Sequence, residues 1–300
     1  MKSAFEEIRL EEIAANPTRF HICSFQNLRY VYPVVSRRAR GVSVGIDLSP
    51  TKFCNFRCVY CQVERDEKDE SLGDHRLDLD ALRTEILTVS HMARSGKLFE
   101  QERFAKVPME RRVLRDFAFS GNGEPTLAPQ FPEAVETVAS ARETLGDESI
   151  KLVLITNATR LREPRVVEAL DSMVESNGEI WAKLDAGDEA RFLRVDRSRV
   201  PFETILDNVL FAGRRWGVKI QTSAFVWQGV KPTLAETEAY CARLNAIVDA
   251  GARVAEIQLY TVARKPAEFG AKALSDDEMD ALGALIHEKT SLPVATFYSK

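Results

Sequence analysis

The chain has 300 residues, 45% of them hydrophobic and 29% charged, with a formal net charge of −4. That profile belongs to a folded globular protein and excludes a disordered or fibrous chain, and its acidic balance gives no general attraction to nucleic acid or to anionic membrane. No apolar run approaches the length of a membrane span, and Met1 to Leu10 is charged without an apolar stretch, which predicts no signal peptide.

The first predicted strand, residues 42–48, leads into Cys54-Asn55-Phe56-Arg57-Cys58-Val59-Tyr60-Cys61. The spacing is C-x3-C-x2-C. Three thiolates on one short loop can hold an iron–sulfur cube but leave one of its irons open, because such a cube held by protein alone takes four cysteines. Zinc with a distant histidine, or unrelated buried thiols, are the alternatives. Against zinc, Cys23 and Cys241 stand alone, and His21, His75, His91 and His287 form no ligand pair. The acidic run 64–70 reads as a solvated loop.

Leu79, Leu82, Ile86, Val89 and Ala93 then keep a helical period, with Asp78 able to cap the start and Gly96 the end. Residues 96–115 are irregular and read as a helical surface insertion, with a lid over the site as the alternative. A strand over 116–120 runs into Gly121-Asn122-Gly123-Glu124-Pro125-Thr126. Pro132 and Gly146 bracket a second helix. Further strands are expected at 151–156, 179–185, 218–226 and 255–260, with a last one at 292–298. Cys241 falls on an amphipathic helix. Alternating strands and helices imply βαβ units around a parallel sheet.

The strand faces carry an argument of their own. Buried parallel strands usually read as continuous apolar runs, yet several here alternate. Trp181, Lys183 and Asp185 oppose Ile180, Ala182 and Leu184, and Lys219, Gln221, Ser223 and Phe225 oppose Ile220, Thr222, Ala224 and Val226. Glu256, Gln258 and Tyr260 form a third such face, Ser43, Gly45 and Asp47 a fourth. The apolar faces are expected to meet helices and the polar ones to look onto a shared cavity; an open, one-sided sheet is the alternative. Sites on such sheets lie at the carboxyl ends of the strands. There the cysteine loop, Gly121–Glu124, Asn157 and Asp185 follow four successive strands. Gly121 and Gly123 would let backbone approach a ligand.

The cysteine loop resembles the cluster-binding motif of the radical S-adenosylmethionine (radical SAM) superfamily. Phe119 to Thr126 is similar to that superfamily's Gly-Gly-Glu element, Thr156-Asn157-Ala158 to its Thr-Asn-Gly, and Lys183-Leu184-Asp185-Ala186-Gly187 to the segment reaching ribose and carboxylate. With Pro33 to Arg38 and Val262 to Glu268, the chain looks most like poorly characterised Fe–S oxidoreductases of the wyosine and FeMo-cofactor-biosynthesis-like group. The resemblance implies a partial (β/α)6 TIM-like barrel over residues 42–270, with an N-terminal extension at 1–41, the insertion at about 96–115, and a C-terminal helix and strand at 271–300.

It also implies a radical SAM enzyme with one [4Fe–4S] cluster on Cys54, Cys58 and Cys61. An external one-electron donor of flavodoxin or ferredoxin type would drive cleavage of SAM to a 5′-deoxyadenosyl radical, which would act on an unknown small-molecule or macromolecular substrate. Gly121, Asn122, Gly123 and Glu124 would meet SAM, with Glu124 accepting from its ammonium. Asn157 and Asp185 would contact ribose, Tyr60 would pack near adenine, and Lys183 would meet the SAM carboxylate or a substrate anion. The alternatives are a tRNA-base-modifying radical SAM enzyme and a non-catalytic metal-binding or electron-transfer module. Arginines recur at 37, 38, 40, 191, 194, 197, 199, 214 and 215; they read as scattered solvated charges unless they converge on the barrel mouth. No RNA-binding module is visible, and reduced cysteines point to the cytoplasm.

Overall fold

The computed structural model describes residues 25, 28–49, 51–64 and 76–299. His21, Cys23, His75 and most of the acidic run lie outside the described residues. The predicted strands form β2 (Gly41–Ile46), β3 (Leu114–Phe119), β4 (Lys151–Thr156), β5 (Gly178–Lys183), β6 (Val218–Ser223) and β8 (Val254–Tyr260). Two edge strands extend this sheet: β1 (Val31–Ser36), antiparallel to β2, and β10 (Val294–Phe297), parallel to β8. The order is β1-β2-β3-β4-β5-β6-β8-β10. The sheet curls into a partial barrel, the form the resemblance implied. Its open side lies between β1 and β10, which are not paired with each other.

Helices cover the outer face. They are α1 (Leu79–Ser95), the short α2 (Glu102–Ala105), α3 (Phe131–Leu145), α4 (Pro164–Glu175), α5 (Glu189–Val195), α6 (Phe202–Arg215), α7 (Leu234–Asp249) and α8 (Asp276–Thr290). Asp78 caps α1 by accepting from the Ala81 amide, and Gly96 ends it at φ 87°. Pro132 sits in the first turn of α3, where its missing N–H costs nothing. Val44, Ile46, Phe117, Phe119, Ile180 and Ile220 point outward from the strands and are buried against the helices. The inner face is mostly polar, except for a small apolar floor of Ala118, Val153 and Trp181.

One expectation changes, and one alternative falls. The strand expected over 218–226 breaks at Ala224, whose amide bonds to the Tyr260 carbonyl. Beyond the break, β7 (Phe225–Trp227) leaves the barrel and pairs antiparallel with β9 (Ala271–Ala273). Phe225 and Ala271 of that ribbon pack on Val59 and Tyr60 of the cysteine loop. The irregular stretch 96–115 is also no lid. It lies at the amino ends of the strands, where the Val113 carbonyl accepts from the Val42 amide. It buries Leu98, Phe99 and Phe104 in the main core and contributes nothing to the cavity wall.

Candidate active site

The cysteine loop is tied down from two sides before any side chain is considered. The Arg57 and Val59 amides donate to the carbonyls of Asp196 and Val195 at the end of α5. The Ala267 amide donates to the Cys61 carbonyl, and Ser198 Oγ to that of Asn55. Residues 261–270 and the end of α5 thus hold the loop at the mouth of the barrel. Inside lies a cavity of about 410 Å³. Cys54, Tyr60, Gly121, Glu124, Asn157 and Lys183 line it, and so do Cys58, Cys61 and Gly123.

Asn122 and Asp185 do not line it; they stand behind its wall. Asn122 turns its side chain onto Asp47 and donates to that carboxylate, while the Asn122 and Ser49 amides donate to Asp47 Oδ1. A Cβ at Gly121 would overlap Asp47, and one at Gly123 would overlap the Phe53 carbonyl. These glycines let the β3 loop pack against the start of the cysteine loop, a closer reason for them than ligand approach.

Glu124 ties the second loop to the third. Its carboxylate accepts from the Thr126 amide at 3.2 Å, from the Thr126 and Thr156 hydroxyls at 2.6 Å each, and from the Asn157 amide at 2.7 Å. Burial lifts its carboxyl above the usual range, against these bonds, which favour the charged form. Asn157 then reaches back to the cysteine loop, with Nδ2 2.7 Å from Asn55 Oδ1 and 3.8 Å from Cys54 Sγ.

Asp185 does similar work on the other side. It accepts from the Tyr60 hydroxyl and, at 2.6 Å, from the Ser223 amide, and lies 3.6 Å from Lys183 Nζ. Lys183 Nζ also donates to the Tyr260 hydroxyl at 2.7 Å and lies 4.6 Å from the Tyr60 ring centre. Burial disfavours the Lys183 charge, but Asp185 and its other neighbours outweigh this and hold the amine well above its ordinary range. Ser223 Oγ lies at the same wall, buried and with no hydrogen-bond partner among the described residues.

The donor set fits an iron–sulfur cluster. Three soft thiols on one loop face one cavity, and the Phe56 amide donates toward Cys54 Sγ at 3.5 Å, the outer bonding a cluster thiolate accepts. Among the described residues no three His, Cys, Asp or Glu side chains close into a single-ion site. A zinc ion would draw all its sulfurs to about 2.3 Å from one centre, whereas a cube takes each thiolate on a different iron and keeps them apart. Burial, with the nearby Asp196 carboxylate, pushes the Cys58 thiol well above its ordinary value, and that thiol donates to Asp196 at 3.4 Å. A bound metal reverses that preference.

Sequence reasoning missed Asp116 and Asp196, and named Asp47 only as part of a polar strand face, not as the group that holds Asn122. Asp196 ends a short helix and Asp47 begins a loop, positions where an aspartate is ordinary. Ser223 and Tyr260, in contrast, sit on the polar strand faces already singled out.

Comparison with known proteins gives a family and a fold. The family model described as the radical SAM superfamily matches residues 48–222. A UPF0026 protein of Helicobacter pylori (strain ATCC 700392 / 26695) is 27% identical over 249 residues, which cover 82% of this chain and 70% of that protein. Among solved structures, a radical SAM methyltransferase from Sphaerobacter thermophilus superposes with a TM-score of 0.59 at 14% identity, covering 89% of this chain and 69% of that one. TYW1 with a lysine–pyruvate adduct bound gives a TM-score of 0.52 at 17% identity, covering 84% and 74%. At those identities the structures show a shared fold.

Proposed function

The chain belongs to the radical SAM superfamily, and we propose that it binds one [4Fe–4S] cluster through Cys54, Cys58 and Cys61 and cleaves SAM reductively at that site. The family is one of enzymes that use such a cluster with SAM and draw an electron from a reductant. When bound, the pair supplies a 5′-deoxyadenosyl radical able to abstract hydrogen from a substrate. The observation that carries the reading is the convergence of the cysteine loop, Glu124 and Asn157 on one cavity.

The chain's own residues then have distinct tasks. Glu124, whose carboxyl accepts four hydrogen bonds, presents an edge to the cavity suited to the SAM ammonium. Asn157 fixes the loop around Cys54 and offers amide groups to ribose. Tyr60, braced by Asp185, presents its ring as a wall for adenine. Lys183 holds a fixed positive charge between Tyr60 and Tyr260. The ribbon of β7 and β9 packs on the cysteine loop and helps keep water from the reacting groups.

We read the substrate as a small molecule rather than RNA. Arg191 and Arg194 pair with Glu236, Arg197 with Glu268 and Arg215 with Asp171, so these arginines are spent within the protein. Among the described residues no helix is long and apolar enough to cross a membrane. The test is anaerobic reconstitution, a strong reductant and SAM, with 5′-deoxyadenosine as the product measured. A protein with an intact cluster and no product defeats the reading. Steeply salt-dependent tRNA binding below micromolar would replace the small-molecule substrate with RNA.

A further inference from the structure

The cavity has a second pole. The turn joining β1 to β2, residues 37–40, lies at the amino end of β2, about 17 Å along the strand from its cysteine end at a rise near 3.3 Å per residue. Arg37 and Arg38 enter the cavity from this turn, and Arg264, from the loop after β8 at the carboxyl ends of the strands, lines the same cavity and lies near enough for its charge to act on both. The Arg38 guanidinium lies 5.8 Å from the Trp181 ring centre and 5.4 Å from that of Tyr260. Tyr260 in turn carries Lys183 on its hydroxyl. Four positive charges therefore share one wall, and only Lys183 has an acidic partner within 4.0 Å among the described residues.

Cations are normally paired when they leave water. Arg37 Nη1 is enclosed and makes no hydrogen bond among the described residues. The Arg38 head makes neither a hydrogen bond nor an ion pair among the described residues, and rests on aromatic rings alone. The nearest acid it feels is Asp116, whose carboxyl is bonded to Ser43. Burial lowers the affinity of Arg37 and Arg38 for their protons, and Arg264 repels both. A protein gains nothing in stability from holding like charges together in a cavity. Guanidinium forks with unfilled donors match the paired oxygens of a carboxylate or phosphate.

We propose that Arg38, with Arg37 and Arg264, forms an anion-binding subsite that fixes a carboxylate or phosphate group of a small substrate against Trp181 and Tyr260. This deepens the proposed function and rests on it for the word substrate, since SAM would occupy the cysteine pole. Small size follows from the cavity, whose roughly 410 Å³ must hold both molecules and lies near the lower end for ligand pockets of about 300–1,000 Å³. The aromatic flanks favour a flat portion next to the anion.

The test uses reconstituted full-length protein, titrated anaerobically with inorganic phosphate in one arm and oxalate in the other. Heat of binding and tryptophan fluorescence are read, the latter because Arg38 lies over Trp181. Saturable binding of at least one probe is expected, and the tighter arm names the group. Arg38→Gln should weaken it at least tenfold, and Arg38→Lys, which keeps the charge without the fork, by an intermediate factor. Arg215→Ala removes an arginine already paired with Asp171 and should leave it unchanged. Circular dichroism checks that each variant is folded. Absence of saturable binding in the wild-type protein overturns the proposal, as does binding that folded Arg38→Gln and Arg37→Ala both retain. SAM affinity of the wild-type protein, measured separately, decides the SAM reading whatever the anion titrations give.

Discussion

The two ends of the barrel strands carry loops of very different construction. At the amino ends, residues 96–113 bury Leu98, Phe99 and Phe104, and Phe104 meets Phe25 edge-on at 6.2 Å. At the carboxyl ends, the buried groups include Asp47, Glu124, Asn157, Asp185 and Asp196. The first end is held by ordinary apolar burial. The second is held by carboxylates bonded to loop amides and hydroxyls, a costlier arrangement that tolerates no missing partner. Loops that must present charged groups to a ligand have reason to be built this way, which is why those at the carboxyl ends are read as site and the 96–113 segment, which lines none of the cavity, as scaffold.

The largest effect should come from the loop that only the polar end has. Cys54→Ala, Cys58→Ala and Cys61→Ala should each abolish the cluster, which in wild-type protein amounts to about four irons per chain. Cys241, buried on α7 and in the main core, is a packing residue, and Cys241→Ala should leave the iron content alone. Iron analysis and paramagnetic resonance read both. Roughly eight irons with two cluster signals would mean a second cluster and break the assignment.

A pair of truncations then separates the two ends. Phe104→Ala should cost about 3–5 kcal/mol, as deletion of a buried ring does, with no change in SAM affinity of the folded protein. Glu124→Ala strands two amides and two hydroxyls and should cost about 3 kcal/mol. It should also weaken SAM binding at least tenfold. Urea unfolding gives the stabilities and calorimetric titration the affinities. If Phe104→Ala weakened SAM binding as much as Glu124→Ala, the division between scaffold and site would not hold.

Asp185 probes the wall from behind. Because its carboxylate holds the Tyr60 hydroxyl, the Ser223 amide and the Lys183 charge, Asp185→Ala should cost about 2 kcal/mol. The cluster should survive, and SAM affinity should fall several-fold through loss of the Tyr60 position. Tyr60→Phe, which removes only the hydroxyl, should reproduce part of that fall. Unchanged affinity in both variants would show that the Tyr60 ring does not serve the ligand.

How much of this the sequence disclosed follows the range of the interactions. Alternation along 179–185 and 218–223 is local, and it located both the sheet and its polar inner face. The cysteine spacing is local too, and it located the mouth. β1 was missed because Pro33 interrupts it and its pairing is with one neighbour only; an edge strand tolerates proline where a central one does not. The break at Ala224 depends on a hydrogen bond that its amide donates to the carbonyl of Tyr260, 36 residues away in the chain, and no periodicity announces it. Glu124 and Asn157 were legible as candidates, while the bonds that lock them together exist only once the strands are side by side. Arg37 and Arg38 were visible as charges among many; what sets them apart from Arg194 or Arg215 is the lack of an acidic partner among the described residues, a property of the fold.

Asp116 offers the smallest and most quantitative comparison, since it is a buried carboxyl on the cavity wall away from the cysteine loop. Burial raises it from an ordinary 3.8 to about 6, against the opposing pull of the Ser43 hydrogen bond and the Arg38 charge. The folded state therefore holds this proton more tightly than the unfolded chain. Its contribution to stability is complete below about pH 3.8 and is lost as the pH rises through about 6. Between pH 5 and 7 the loss should be about 1 kcal/mol, since one pKa unit is worth about 1.4 kcal/mol. Asp116→Asn keeps a neutral partner for Ser43 and should flatten that part of the profile, so that its advantage over wild type grows from pH 5 to pH 7. Urea unfolding at the two values measures it, and identical slopes for wild type and variant would show that Asp116 titrates normally. Burial raises Glu124 as well, but Glu124→Gln turns an amino group toward one of the four donors its carboxylate accepts from, so this variant should lose stability through the stranded donor, where Asp116→Asn gains it.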